Sequence, residues 1–99
     1  MPAYAIAVVS DARDPEALVE YRRRNTPTVE AHGGRFLVRG GAVEVLEGSW
    51  SPLRVVVMEF PDMAAARAWY ASDAYQAIAP IRQGASDTDI ILVEGVGEG

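Results

Sequence analysis

Cysteine is absent from the 99 residues, lysine is absent as well, and histidine occurs once, as His32. Without cysteine there is no disulfide, thiolate nucleophile, iron–sulfur cluster or cysteine zinc site. Without lysine there is no Schiff base and no P-loop lysine; all nine basic residues are arginine. One histidine excludes an HExxH motif and any multi-histidine metal centre within one chain, so no metal and no other cofactor is expected. A net charge of -5 argues against a nucleic-acid partner held by phosphate neutralisation. The sequence shows no basic leader segment and no apolar stretch of membrane-spanning length, which gives the expectation of a cytoplasmic protein without a membrane partner. Hydrophobic residues make up 49% of the chain, enough for a core. The expectation is one domain over residues 1–95 followed by a flexible tail, 96–99.

The run from Ala3 to Ser10, AYAIAVVS, is apolar almost throughout and reads as a strand covered on both faces. Asp14-Pro15-Glu16 then offers an N-cap, a first helical residue and an acidic first turn. Leu18, Tyr21, Asn25, Val29 and His32 recur at helical spacing up to Gly33-Gly34, with Pro27 expected to kink or split the helix. Two short strand-like runs follow, interrupted by Gly40-Gly41, and LRVVVMEF from Leu53 to Phe60 is the strongest strand pattern in the chain. Pro61-Asp62 opens a helix with Ala65, Ala66, Trp69 and Tyr70 inward. Ser72 caps a further helical stretch, carrying Tyr75, Ile78 and Ala79, that Pro80 and Gly84 are expected to end. TDIILVE, from Thr88 to Glu94, closes the series as a strand.

The order β-α-β-β-α-β is the ferredoxin-like arrangement, an α+β fold with an antiparallel sheet and its helices on one face. Nearly continuous apolar strands then leave the other face as a patch that a second copy would cover across a two-fold axis, closing a dimeric α+β barrel. Three segments carry a resemblance that supports this: HGGRFLVRGGAVEVLEGSW, RVVVMEFPDMAAARAWYASDAYQ and IRQGASDTDIILVEG. In this order, within a match from Tyr4 to Gly95, they resemble the bacterial family known as domain of unknown function 1330. The resemblance implies a ferredoxin-like dimeric α+β barrel, an architecture shared with small cofactor-independent monooxygenases, muconolactone isomerases and haem-binding proteins. It transmits no activity.

Arg39 and Glu59 stand out as candidate ligand-binding residues. Strict alternation puts Arg35, Leu37 and Arg39 on one face of the second strand, and Val55, Val57 and Glu59 on one face of the central strand. A hairpin through Gly40-Gly41 would bring Arg39 and Glu59 together at one barrel end, either as a structural salt bridge or as an anion site. His32 sits at a helix end, where it caps carbonyls or transfers protons; it and Glu59 are the catalytic candidates. Arg82, Tyr75 and Trp50 complete the ligand-binding candidates, as a bidentate anion partner, a pocket phenol and a cover over an open barrel end. The Arg22-Arg23-Arg24 run reads as a solvated helix face. The resulting expectation is a homodimer with a pocket for a small anionic organic metabolite, its chemistry left open between a cofactor-independent enzyme and a non-catalytic ligand-binding or structural dimer.

Overall fold

The computed structural model describes residues 1–97. Along the chain run β1 (Ala3–Ala12), α1 (Pro15–Glu30), β2 (Arg35–Arg39), β3 (Arg54–Phe60), α2 (Met63–Ala71), α3 (Asp73–Ala85) and β4 (Ser86–Glu94). The strands form one antiparallel sheet in the order β2-β3-β1-β4, which gives the ferredoxin-like α+β fold. No helix among the described residues is long and apolar enough to cross a membrane.

Each helix begins where a side-chain oxygen satisfies an orphan backbone donor. Asp14 accepts from the Ala17 N–H at 3.1 Å, and Asp62 from the Ala65 N–H at 2.8 Å. Ser72 serves two helices: its N–H donates to the Trp69 carbonyl as α2 ends, and its hydroxyl accepts from the Tyr75 N–H as α3 begins.

Both prolines expected to interrupt helices lie inside them. α1 runs unbroken through Pro27, and α3 through Pro80 and Gly84 to Ala85. A proline removes one backbone donor and crowds one turn. Buried residues on either side hold the helix through it: Asn25, Thr28 and Val29 around Pro27, and Ile78, Ala79 and Arg82 around Pro80. α3 ends instead where the Ser86 N–H donates to the Arg82 carbonyl and the chain turns directly into β4.

The second strand-like run after Gly40-Gly41 is not a strand. Gly40 adopts φ +79° and its N–H reaches the Val55 carbonyl at 3.1 Å, closing the β2–β3 ladder. Residues 41–53 form no strand; they border Ile6, Val8 and Val55 on the sheet face opposite the helices, and the Leu53 N–H donates to the Val9 carbonyl of β1 at 2.9 Å.

Register sorts the side chains into two faces. Ala3, Ala5, Ala7 and Val9 of β1 lie opposite Phe60, Met58, Val56 and Arg54 of β3, all turned toward the helices. Trp69, Tyr75, Phe60 and Val29 are fully buried in that layer. Gly34 is required there, since a Cβ would fall 2.6 Å from the Phe60 ring. The other face carries the row Val38, Val57, Ile6 and Ile91 across all four strands. Ile91 is 55% exposed and no helix or strand lies over this row, although Ile6 is bordered on one side by residues of the 41–53 segment. The result is a slab, 37 × 36 × 17 Å, with one apolar side open.

Candidate functional site

Arg39 and Glu59 do not meet. β2 pairs Arg35 with Glu59 and Phe36 with Met58, but then Val38 with Val57 and Arg39 with Val56. The irregularity falls at Leu37: one extra residue inverts the alternation beyond it and moves Arg39 to the helix side of the sheet. Glu59 stays on the open face, where its Oε1 accepts from Arg35 Nε at 2.9 Å. Arg35 is largely exposed, so this is a surface ion pair worth less than about 1 kcal/mol rather than a buried one.

The bulge delivers Arg39 to a cavity of about 50 Å³ between α1 and the sheet. Ala7, Val9, Leu18, Phe36, Val56 and Met58 make its apolar walls; Tyr21, Asn25 and Thr88 add neutral polar groups. Arg22, Arg39, Arg54 and Arg82 also line it, and no carboxylate does. Space of this size holds roughly four water-sized groups at about 10–15 Å³ each.

Each arginine reaches the cavity for a local reason. Arg22 lies four residues after Leu18 and three before Asn25, at the edge of the buried face of α1. Arg54 opens β3 on the same face as Val56, Met58 and Phe60. Arg39 stacks its guanidinium 3.8 Å from the centre of the Phe36 ring and donates to the Arg22 carbonyl at 2.7 Å. Arg54 donates to the Arg39 carbonyl at 3.3 Å. These carbonyls leave the positive charges unneutralised; among the described residues none of the four arginines forms a salt bridge. Burial, then the like charge of Arg22, lowers the pKa of Arg39. Burial, then the charges of Arg22 and Arg39, does the same to Arg54.

Arg82 is the inner member, only 7% exposed, and its Nε is buried without a hydrogen-bond partner. Its guanidinium lies 5.9 Å from the centre of the Tyr21 ring. Tyr21 in turn shares a 2.8 Å hydroxyl–hydroxyl hydrogen bond with Tyr75. Burial pushes the Tyr21 phenol well above its ordinary value, so it remains a neutral donor. Behind it, Trp69 Nε1 donates to Thr28 Oγ1 at 3.1 Å, and Thr28 bonds the Asn25 carbonyl and Oδ1 at 2.7 and 2.8 Å.

The raised Tyr21 value has a consequence for stability. The unfolded chain gives up this proton first, so the stabilisation is complete below about pH 10 and is lost as pH rises toward the folded value. Alkaline denaturation followed by tyrosinate absorbance should show Tyr21 ionising only with unfolding, and Tyr21→Phe should flatten the alkaline loss. Tyr21 ionising in the folded protein near pH 10 would contradict the burial.

The other sequence candidates lie elsewhere. His32 Nδ1 donates to the Thr28 carbonyl at 3.0 Å, a helix-end contact away from the cavity walls. Tyr75 is fully buried behind Tyr21 and does not line the cavity. Trp50, 68% exposed, stands in the 41–53 segment beside Ile6, Val8 and Val55 on the open sheet face. Of the candidates, Arg39 and Arg82 alone share the cavity; Arg22, Arg54 and Tyr21 join them. Two of these were legible as positions: Arg54 from its alternation with Val56 and Met58, and Arg22 from its spacing to Leu18 and Asn25.

Solved structures share this architecture. A protein of unknown function from Rhodopseudomonas palustris, RPA0582, is 24% identical with a TM-score of 0.78, covering 98% of this chain and 84% of that one. SnoaB from Streptomyces nogalater, described as a cofactor-independent oxygenase, is 13% identical with a TM-score of 0.66, covering 98% and 95%. A dimeric ferredoxin-like protein of unknown function from Thermobifida fusca is 16% identical with a TM-score of 0.64, covering 95% and 91%. Among curated proteins none matches the chain in sequence. The family model for domain of unknown function 1330 matches residues 2–96, and the chain, with its ferredoxin-like sheet and arginine-lined cavity, belongs to that family.

Proposed function

We propose that the protein is a homodimer that binds a small organic anion in the cavity between α1 and the sheet. One observation carries this: four arginines line a mainly apolar cavity to which no carboxylate contributes. Arg82 is buried, Arg22 and Arg54 are half-buried and Arg39 is exposed at the cavity's outer side, so like charges converge from the solvent inward, and guanidinium is suited to bidentate capture of a carboxylate. The apolar walls would hold the body of the ligand, with Arg39 and Arg54 on its anionic group.

The same residues favour one kind of chemistry over another. No Asp, Glu or His lines the cavity, and Tyr21 is held neutral, so no general base faces the ligand. Fixed guanidinium charge instead stabilises an anion that a small substrate forms readily, such as a carboxylate or an enolate. This supports reading the protein as a cofactor-independent enzyme acting on an acidic substrate, in keeping with the activity stated for SnoaB on the same fold. A non-catalytic binding dimer is the alternative. The homodimer is supported by the open apolar face and by the dimeric description of the Thermobifida fusca protein.

Native mass spectrometry of the purified protein against a metabolite mixture tests the reading. Retention of an organic acid by the wild type, and at least tenfold weaker retention by Arg39→Met with Arg54→Met, is the expected result. Conversion of the retained acid marks an enzyme, and retention unchanged marks a binder. Equal retention by wild type and double variant would move the site elsewhere.

A further inference from the structure

We infer that the groove between α3 and the edge strand β4 is a second binding site, taking an aromatic monocarboxylate with its carboxylate on Arg82 and its ring against Tyr70, Ile90 and Leu92. The groove has a volume of about 450 Å³, and Gln83 and Thr88 complete its lining. Small-molecule sites span roughly 300–1,000 Å³, so a one-ring acid fits. Arg82 and Thr88 border both this groove and the cavity beneath α1. They form the partition between the two spaces, so the groove's occupant stands or falls independently of the anion proposed for the cavity.

The apolar part of the groove follows from register. β4 is an edge of the sheet, and alternation along it turns Thr88, Ile90 and Leu92 toward the helices, opposite Val9, Ala7 and Ala5 of β1. No strand lies beyond β4, so this row floors an open groove about 13 Å long rather than a closed core. Tyr70, at the end of α2, supplies an aromatic wall. Its ring centre lies 5.5 Å from that of Tyr75 and 6.1 Å from that of Trp69, yet the residue is 39% exposed. Part of the ring packs on the core, and the rest is free to meet a ligand ring.

The carboxylate follows from Arg82. Among the described residues it is the one charged side chain lining the groove, it is only 7% exposed, and its Nε is buried with no hydrogen-bond partner. Nearby hydroxyls are occupied with other groups. Tyr21 and Tyr75 bond each other. Ser86 Oγ donates to the Arg82 carbonyl at 2.9 Å, so in its 2.7 Å contact with Thr88 it accepts, and the Thr88 proton is used there. A guanidinium this deep with an unsatisfied donor lacks an anion, and a carboxylate brings two acceptor oxygens to its fork. The groove lies on the helix side of the sheet, so a homodimer formed through the opposite face leaves it open.

Titration calorimetry of the full chain with benzoate, phenylacetate and 3-phenylpropionate, each against its primary amide, tests the site. At least one acid should bind at least tenfold more tightly than its amide, Arg82→Met should erase that difference, and Tyr70→Ala should weaken the acid at least fivefold. Arg39→Met with Arg54→Met, which alters only the cavity, should leave it within twofold. Circular dichroism checks each fold; if Arg82→Met does not fold, Ile90→Trp, which fills the groove and spares the charge, decides instead by abolishing binding. An acid preference below tenfold, an acid indifferent to Tyr70→Ala or to the Arg82 or Ile90 variant, or no binding of any of the three acids would overturn the groove site. Loss of the acid in the Arg39→Met, Arg54→Met variant would place it in the cavity, overturning this inference and supporting the cavity as the anion site. Groove binding that persists while the metabolite screen retains no acid would do the reverse.

Discussion

Replacing Trp69 by alanine should destabilise the protein by about 3–5 kcal/mol, the range for removing a large aromatic side chain from a packed core. A domain of this size is stable by about 5–15 kcal/mol, so the substitution removes a large share of the total. Trp69 is fully buried. Its ring centre lies 4.4 Å from that of Tyr75, 5.4 Å from that of Phe60 and 6.1 Å from that of Tyr70, joining α2, α3 and β3 through one side chain. Its Nε1–H also donates to Thr28 of α1, inside the network that fixes Asn25 at the cavity wall. Alanine therefore opens a cavity and removes a buried donor together. Urea denaturation measures the loss, and Trp69→Phe separates its parts, since phenylalanine keeps most of the packing but not the donor. If the alanine variant lost less than about 1 kcal/mol, Trp69 could not be the centre of this core.

The fold was legible in the sequence because hydrophobic period and capping residues agree along most of the chain. Asp14 and Ser72 are the caps expected of them, α2 opens at Pro61-Asp62 as read, and the β1, β3 and β4 runs pair as antiparallel strands. Misplaced boundaries came from local signals that tertiary packing overrides. Pro27 and Pro80 are strong breakers alone, yet each sits on a helix with buried residues on both sides. The Val43–Leu46 pattern suits a strand, but these residues pair with no strand and instead border Ile6, Val8 and Val55 on the sheet face.

The candidate site was less legible because one residue decides it. Alternation through β2 keeps Arg39 on the face of Arg35, and the bulge at Leu37 reverses this. Nothing in RFLVR announces the irregularity. The reversal separates Arg39 from Glu59 and joins it to Arg22 and Arg54, turning an expected salt bridge into a group of unneutralised cations. Arg82 was recognisable as an anion ligand by type. Its depth was not, because a charged residue near a helix end is ordinarily exposed.

Replacing Ile6 by aspartate should break the proposed homodimer, raising its dissociation constant by three orders of magnitude or more, while Val19→Asp should leave it intact. Ile6 lies on the central strand β1, directly between Val57 and Ile91, at the middle of the open sheet face. The rows on either side end in polar groups: Arg35 and Glu59 toward one end, Asp89 toward the other. An apolar centre with a polar rim is the anatomy of a specific interface. Aspartate at that centre would be desolvated without a partner in both copies of an isologous contact, a penalty of several kcal/mol per ion. Val19 is 58% exposed on α1, on the helix side of the slab, and contributes nothing to that face. Light scattering coupled to size exclusion at micromolar concentration should give about twice 10.7 kDa for the wild type and Val19→Asp, and 10.7 kDa for a folded Ile6→Asp. If the Ile6 variant unfolds instead, the dimer and the fold are inseparable, and wild-type stability must then rise with protein concentration. A wild type that runs as a stable monomer, or an Ile6→Asp variant as dimeric as the wild type, would remove this face from the interface.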